Sequence, residues 1–434
     1  MRTPDLLNKR KIINYMNLTK FALLSIVFID IMSQGLVIPI LSTIIMSPTQ
    51  DFLSEEASIG TRQFYFGLTM AVFFLAWFFG AAYISKVSDY IGRKAAMLIC
   101  LFGALLGYIL TIVALETSSL ILLLIARVIS GFAAGNQPIA QAALVDLSEN
   151  EDQKIRFMGM ALVAMSIGMV AGPLISGLTS DSAILGTLAS IDLPFYIVSV
   201  LVIANILLIM FYYYEAPVER PPYKFKPLEI FLTIGEIRER PTVIRLAPVF
   251  FFAQLTVFAF YVFMDNYFYT KFKFGVLENA FTMVVMGVAM GTVSAFCVGP
   301  VSARFGKITV LYSSLSLMAL SAGLSALNSS PAMAYVLIAT FFIPFALYYP
   351  TMLTLFSGAV DQTEQGWVMG ISVALFTLAA GIISLLGGWL MAVDIRLPFL
   401  VAVVSAFVAM GLIAILWRGP TMGNLLEKIS TKTA

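Results

Sequence analysis

Residues 157–178 read FMGMALVAMSIGMVAGPLISGL, a stretch of helical length without one charged side chain. The hydrocarbon core of a bilayer is about 30 Å thick, and about 20 apolar residues in a helix cross it. This stretch therefore predicts a membrane-spanning helix. Its neighbours along the chain decide how many such helices the protein contains.

Apolar stretches of the same kind recur along the whole chain between polar breaks. They give twelve predicted spans, numbered span 1 to span 12, near 19–45, 63–84, 95–115, 120–146, 157–178, 193–213, 245–270, 280–301, 308–327, 333–356, 368–391 and 397–416. Span 1 is too long for a signal peptide, and no small-residue cleavage site follows it, so we expect it to be retained. The sequence predicts an all-α polytopic membrane protein with 12 transmembrane helices.

The composition excludes several classes of function. Of the 434 residues, 60% are hydrophobic and only 12% are charged, whereas soluble domains carry about 25% charged residues. The formal net charge of +2 indicates no nucleic-acid partner. The two cysteines, Cys100 and Cys297, lie in apolar runs, which argues against a disulfide framework or a thiolate metal cluster.

The chain also contains no histidine. His-ligated metal or haem, a Ser–His triad and an imidazole proton shuttle are therefore excluded. No phosphate-binding loop or catalytic carboxylate pair is apparent, so we expect neither an enzyme nor a cofactor. Any proton chemistry must run on carboxylates, with Lys, Arg, Tyr or water in support.

Basic residues indicate the orientation in the membrane. If both termini are cytoplasmic, 21 of the 26 Lys and Arg residues face the cytoplasm, four lie outside, and Arg127 lies within span 4. This asymmetry follows the positive-inside rule. We expect a bacterial-type inner (cytoplasmic) membrane protein with both termini in the cytoplasm.

The chain divides into two similar halves. The connection 214–244 carries five prolines and predicts a cytoplasmic tether; its LEIFLTI stretch is either a short interfacial helix or a partly ordered linker. SKVSDYIGRK at 85–94 is echoed by GPVSARFGK at 299–307. We predict pseudo-symmetric six-helix halves at 1–213 and 245–434, with a site at the membrane midplane between them.

The loop after span 2 carries a recognisable pattern. SKVSDYIGRKAAML resembles the G-x-L-x-D-R-x-G-R-K loop of the major facilitator superfamily, although Ser85 and Tyr90 depart from it. The matching residues are Asp89, Gly92, Arg93 and Lys94. The resemblance implies a latch for the outward-open state, in which Asp146 pairs with Arg93. The alternative is a basic loop that serves topology alone.

Arg127 is a charged residue inside span 4. A central arginine costs at least about 2.5 kcal/mol on insertion scales, so it should face the protein interior; the alternative is a side chain that snorkels outward. The spacing of Arg127, Gly131 and Gly135 resembles the helix 4 motif of the superfamily, which implies a role in proton coupling. The polar residues that follow, predicted to line a substrate cavity, are Asn136, Gln137 and Gln141.

Span 5 carries the most specific pattern in the chain. Its spacing G-x8-G-x3-G-P-x2-S-G resembles the antiporter motif of the superfamily, with Ser176 as the one departure. The matching residues are Gly159, Gly168, Gly172, Pro173 and Gly177. Small residues on one face let helices approach closely, and Gly-Pro kinks the span. The resemblance implies an exporter coupled to protons; the alternative is ordinary helix packing.

Asp30 is the only carboxylate well inside span 1, with Gln34 one turn later on the same face. The segment with Asp30, Gly35 and Pro39 resembles the tetracycline exporters and related drug/proton antiporters. We predict that Asp30 binds the proton, tuned by Arg127, and that Gln34 lines the cavity. The alternative is a structural aspartate satisfied by hydrogen bonds.

The second half offers fewer candidates. Asp265, near the end of span 7, lies close in sequence to Lys271 and Lys273, which favours an interfacial salt bridge over substrate contact. An aromatic cavity wall is predicted from Gln254, Tyr261, Tyr348 and Tyr349.

Together these features predict a proton-coupled exporter of a small organic molecule, a drug or a metabolite. Its partners would be the substrate, protons and the lipid bilayer, and we expect a monomer. One alternative is an importer of the same fold for a metabolite such as a metal-chelating siderophore. Another is a membrane enzyme or scaffold, for which the sequence shows no nucleophile, metal site or phosphate site.

Overall fold

A computed structural model describes residues 4–48, 52–148, 151–213, 215, 236–361 and 364–433. Within these ranges the chain forms helices and no β-strand. Twelve helical segments are long and apolar enough to cross a membrane, at Asn17–Met46, Ile59–Ile84, Arg93–Glu116, Leu120–Asp146, Arg156–Ser180, Leu193–Tyr212, Pro241–Phe272, Val276–Phe296, Lys307–Leu327, Pro331–Gly358, Trp367–Val393 and Leu397–Leu416. They confirm the predicted fold class. The predicted interfacial helix at 228–234 lies outside the described residues.

Several spans belong to longer helices. Span 1 is part of Pro4–Met46, span 2 of Ile59–Ile91, span 5 of Glu151–Ser180 and span 11 of Gln365–Val393. Short helices occupy Ser182–Leu185, Gly186–Leu188, Glu236–Glu239 and Val298–Arg304, and a terminal helix covers Pro420–Thr433.

Span 4 is made of two helices, Leu120–Ala133 and Asn136–Asp146. At the break between them span 4 lies against span 2. A Cβ atom added to Gly135 would lie 2.8 Å from the Gly80 carbonyl oxygen, and one added to Gly80 would overlap the Phe132 carbonyl. The second glycine of the Arg127 pattern is therefore required by close backbone packing.

The helices form two compact units. The N unit contains 1–37 and 79–225, and the C unit contains 38–78 and 226–434. The end of span 1 and the first part of span 2 thus pack with spans 7–12. The C unit is built around span 7, which packs on spans 11 and 12. The predicted boundaries of the two six-helix halves, at 213 and 245, follow from the central connection between spans 6 and 7 and stay a prediction.

Candidate functional site

The carboxyl group of Asp30 lies in the N unit on span 1. Its Oδ2 atom is buried and has no hydrogen-bond partner among the described residues. A carboxylate oxygen that is buried without a hydrogen-bond partner disfavours the charged form of the group. The proton-binding role of Asp30 stays a prediction.

Tyr108 of span 3 lies near both Asp30 and Arg127. It is buried, its hydroxyl is hydrogen-bonded to Ser33, and it interacts electrostatically with both charged residues. Arg127 is only 6% exposed, so its guanidinium faces the protein interior. Sequence reasoning missed Tyr108 because a tyrosine in an apolar span is usually packing, and its spacing carries no signal of its own.

The glycine face of span 5 packs on span 1 on both sides of Asp30. A Cβ atom on Gly168 would lie 2.6 Å from the Phe28 carbonyl oxygen, and one on Gly172 would overlap the Met32 carbonyl. In return, a Cβ on Gly35 would lie 2.8 Å from Cδ of Pro173. A Cβ on Gly159 meets nothing within 4 Å, so close packing requires the glycines at 168 and 172 but not the one at 159. Ser176 is buried and donates its hydroxyl to the Pro173 carbonyl at 3.0 Å.

The predicted polar strip of the N unit lies along the second helix of span 4. Gln137 and Gln141 both donate through Nε2 to the sulfur of Met165 on span 5, at 3.5 and 3.8 Å. This shared partner places the two amides on one helix face, as their spacing predicts. Asn136 is buried and its Oδ1 has no partner in the described part of the chain. Gln34 is half-buried on span 1.

The predicted wall of the C unit combines aromatic rings with unsatisfied polar groups. Gln254 is fully buried, and neither its Nε2 nor its Oε1 has a hydrogen-bond partner among the described residues. The hydroxyl of buried Tyr348 also lacks a partner there. Tyr261 and Tyr349 are linked through two phenylalanines. The ring centroids are 6.3 Å apart for Tyr261–Phe258, 4.7 Å for Phe258–Phe376 and 6.3 Å for Phe376–Tyr349.

The loop between spans 2 and 3 contains the expected turn and ion pair. Gly92 has a φ of 99° and span 3 begins at the next residue; L side chains rarely adopt such a φ. Arg93 Nε lies 3.5 Å from Asp146 Oδ2, and its guanidinium donates to Ser88 Oγ at 2.6 Å. The side chain of Asp89 lies outside the described residues, so its contribution to the latch stays a prediction.

Glu215 was not singled out in the sequence, yet it caps the N-terminus of span 3. Its two carboxylate oxygens accept the backbone N–H groups of Arg93 and Lys94 at 2.8 and 3.1 Å. A negative charge is favourable at this end of a helix. Lys94 also donates to the Met210 carbonyl of span 6 at 2.9 Å. Burial, reinforced by the Glu215 and Asp146 carboxylates and opposed by Arg93, raises the pKa of the adjacent Tyr213 phenol.

The predicted salt bridge of Asp265 is wrong. Asp265 is fully buried, and its Oδ1 accepts a hydrogen bond from Thr282 of span 8 at 3.1 Å. Lys271 donates to the Tyr267 hydroxyl at 2.7 Å instead. Sequence proximity favoured the lysine, but Asp265 and Lys271 are six positions apart, so they do not share a helix face as residues three or four apart do.

The structure has twelve apolar spans, and its two helical units bury ionisable groups and amides that lack hydrogen-bond partners among the described residues. These features define a polytopic membrane transporter. The chain belongs to the Major Facilitator Superfamily, whose family model matches residues 23–366 and 246–432. Members of this family are transporters rather than enzymes.

The chain is similar to several proteins of known name. It is 27% identical over 366 residues to the class C tetracycline resistance protein of Escherichia coli, covering 82% of this chain and 86% of that protein. It is 25% identical over 390 residues to the class B protein of Escherichia coli, covering 84% and 86%. The crystal structure of a D-xylose-proton symporter matches with a TM-score of 0.66 at 14% identity, over 90% of this chain and 97% of that one, and at this identity it shows the fold alone.

Proposed function

We propose that this transporter exports a small organic molecule across the inner membrane in exchange for entering protons. One observation carries the proposal: the glycine face of span 5 packs on the backbone of span 1 on both sides of Asp30. A rigid backbone contact at this place holds the carboxyl group at a defined position among its neighbours. Both termini face the cytoplasm in this proposal, and the transporter acts as a monomer.

Proton exchange is assigned to Asp30, with Arg127 and Tyr108 in support. Protonation removes the charge of a buried carboxyl that lacks a hydrogen bond on Oδ2, and it thereby lowers the cost of enclosing the group in an empty transporter. Tyr108 lies near both charged side chains, and we assign it a supporting role in this exchange. Substrate binding would then favour release of the proton.

Substrate binding is assigned to neutral polar groups in each of the two units. In the N unit these are Gln34, Asn136, Gln137 and Gln141; in the C unit they are Gln254, Tyr261, Tyr348 and Tyr349. Three of them, Asn136, Gln254 and Tyr348, have buried polar atoms without hydrogen-bond partners among the described residues. Such atoms are unfavourable, and a ligand with donors and acceptors of its own would satisfy them. The two relatives described above are tetracycline resistance proteins, which makes tetracycline the first probe.

Direction and coupling are tested in proteoliposomes with an imposed pH gradient. In the wild type, tetracycline should move in the direction opposite to proton flow. Asp30→Asn should still bind tetracycline but lose gradient-driven transport. Substrate that moves together with protons would favour the importer alternative, for which a siderophore-like acid is the second probe. Equal substrate-induced proton release in detergent from the wild type and from Asp30→Asn would refute the assignment of Asp30.

A further inference from the structure

A second buried carboxyl lies in the C unit, away from the groups assigned above. Asp265 of span 7 is fully buried, and its Oδ2 atom has no hydrogen-bond partner among the described residues. Its one side-chain hydrogen bond in that part of the chain is with Thr282 of span 8. A buried carboxylate normally needs several donors or a cation, whereas a neutral carboxylic acid needs far less.

The hydroxyl group of Thr282 has two oxygen neighbours but only one proton. Its Oγ1 lies 2.7 Å from the Asn279 carbonyl oxygen and 3.1 Å from Asp265 Oδ1. When the proton points to the shorter contact, a lone pair faces Asp265, which can then donate only if it is protonated. When the carboxyl group is ionised, the hydroxyl can rotate and donate to it. The site therefore accommodates both protonation states with one hydroxyl rotation.

The neighbouring residue ties span 7 to span 2. Asn266 donates through Nδ2 to Gln63 Oε1 at 2.6 Å, and Gln63 donates to Thr270 Oγ1 at 3.4 Å. One turn further, a Cβ on Gly67 of span 2 would lie 2.5 Å from the Ser384 carbonyl oxygen of span 11. The first part of span 2 thus closes over the end of span 7 directly beside Asp265, within the C unit.

Other ionisable groups around Asp265 are engaged elsewhere. Arg62 of span 2 donates to the carbonyls of Ile45, Ser47 and Ser54, and Glu278 of span 8 accepts the Gly275 N–H. Asp394 and Arg396, between spans 11 and 12, interact with Tyr267. Tyr335 of span 10 interacts with Glu278, and Tyr348 and Tyr349 on the same span are buried or ring-packed. Tyr261, one turn before Asp265 on span 7, interacts with it electrostatically.

We propose that Asp265 is a second proton-binding site, and that its proton is held while Gln63 is hydrogen-bonded to Asn266. Loss of the proton creates a charge that needs water, and water reaches it when the first part of span 2 separates from spans 7 and 11. This inference rests on the proposed proton-coupled transport. It adds a second proton site whose protonation depends on the contact of span 2 with spans 7 and 11. The alternative occupant is a monovalent cation such as Na⁺, bound by Asp265 Oδ1, Thr282 Oγ1 and the Asn279 carbonyl oxygen.

Infrared difference spectroscopy tests the protonation directly, without transport. The wild type should show the carbonyl stretch of a protonated carboxylic acid that Asp265→Asn loses and Asp30→Asn keeps. Thr282→Val should shift this band, because the hydroxyl partner is gone, whereas Thr282→Ser should leave it in place. Absence of an Asp265-dependent band, or a band that Na⁺ abolishes at constant pH, would overturn the proposal. The Thr282 pair keeps the test decisive if Asp265→Asn does not fold.

Cysteine labelling tests the link to closure. In a background with Cys100→Ser and Cys297→Ser, a cysteine replaces Ser384, which is fully buried on span 11. Thiolate formation alone raises the labelling rate with pH. Above that rise, labelling should accelerate by about a further tenfold per pH unit through the titration of Asp265, and Asp265→Asn should leave only the rise due to the thiolate. A cysteine at buried Ser405 on span 12 controls for general opening. If labelling shows the same pH dependence with and without the Asp265→Asn change, the link is refuted, whatever the transport assays show for Asp30.

Discussion

Gly172 of span 5 lies against the backbone carbonyl of Met32 in span 1, so closely that a Cβ atom at position 172 would overlap the carbonyl oxygen. Met32 is two residues beyond Asp30 on the same helix. The contact gives the antiporter-like glycine motif a physical meaning in this chain. Its small residues allow two helices to touch at the level of the buried carboxyl.

Replacement of Gly172 by Ala should damage both folding and transport. An added methyl group must push span 1 away, and such overpacking costs about 1–3 kcal/mol. We expect a lower thermal midpoint in detergent and loss of gradient-driven transport. Gly159→Ala is the matched control: it lies in the same motif with open space around it and should behave like the wild type. Similar behaviour of the two variants would mean that the motif does not act through this contact.

Tyr108→Phe should alter coupling while substrate binding is retained. The change removes the hydroxyl that is bonded to Ser33 beside Asp30 and Arg127. One such hydrogen bond contributes about 0.5–1.5 kcal/mol, which corresponds to a shift of up to about one pH unit in the midpoint of substrate-induced proton release. Tyr196→Phe, which removes a hydroxyl bonded to Glu116 at the surface, should leave the midpoint in place. Unchanged proton release in Tyr108→Phe would restrict Tyr108 to packing.

Gln254→Leu should have opposite effects on stability and binding. The buried amide has no hydrogen-bond partner in the described part of the chain, so an apolar side chain of similar size should be neutral or stabilising in the absence of ligand. If the amide contacts the substrate, the dissociation constant should rise about tenfold, equivalent to about 1.4 kcal/mol. Tyr348→Phe follows the same reasoning. Calorimetric binding of tetracycline and a thermal midpoint without it measure the two effects, and unchanged affinity in both variants would remove these residues from the binding site.

Glu215→Gln should weaken the start of span 3. The carboxylate accepts two backbone N–H groups where the helix dipole favours negative charge, and we expect a loss of about 0.3–1 kcal/mol. Glu116→Gln, at the opposite end of the same helix, should be neutral or slightly stabilising, because negative charge is unfavourable there. Thermal unfolding in detergent compares the two, and an equal response would exclude the dipole explanation.

Asp89→Asn should bias the transporter toward its inward-open state. The resemblance to the superfamily loop makes Asp89 part of the outward-open latch, in the same sequence motif as Arg93, which pairs with Asp146. Labelling of cysteines in the proposed substrate cavity from the two membrane sides measures the bias. Asp181→Asn, in a helix cap between spans 5 and 6, is the control. No change in the sidedness of labelling would leave the loop as a topology signal.

Much of the fold follows from the sequence because insertion into a membrane is decided locally. Each apolar stretch gains transfer free energy from its own residues, so the length and hydrophobicity of a segment identify a span. All twelve predicted spans correspond to helices of the structure. The cost of burying a charge is equally local, which is why Asp30 and Arg127 could be selected as candidates before their surroundings were known.

The partners of those residues depend on helix rotation and contact, which no local pattern records. Tyr108 and Glu215 resemble ordinary packing or loop residues in the sequence, and they acquire their roles from helices or loops far away along the chain. Asp265 illustrates the reverse case, since proximity to Lys271 predicted a salt bridge and the fold gave it Thr282 instead.

The sequence by itself determined the class of protein, the number of spans and the charged residues that a membrane makes costly. Only the tertiary structure decided that Gly172 is essential to a helix contact while Gly159 is not. It also decided that the first part of span 2 packs with spans 7 and 11. The physical reason is that transfer free energy adds up residue by residue, whereas close packing and hydrogen bonding depend on the distance and orientation of two helices.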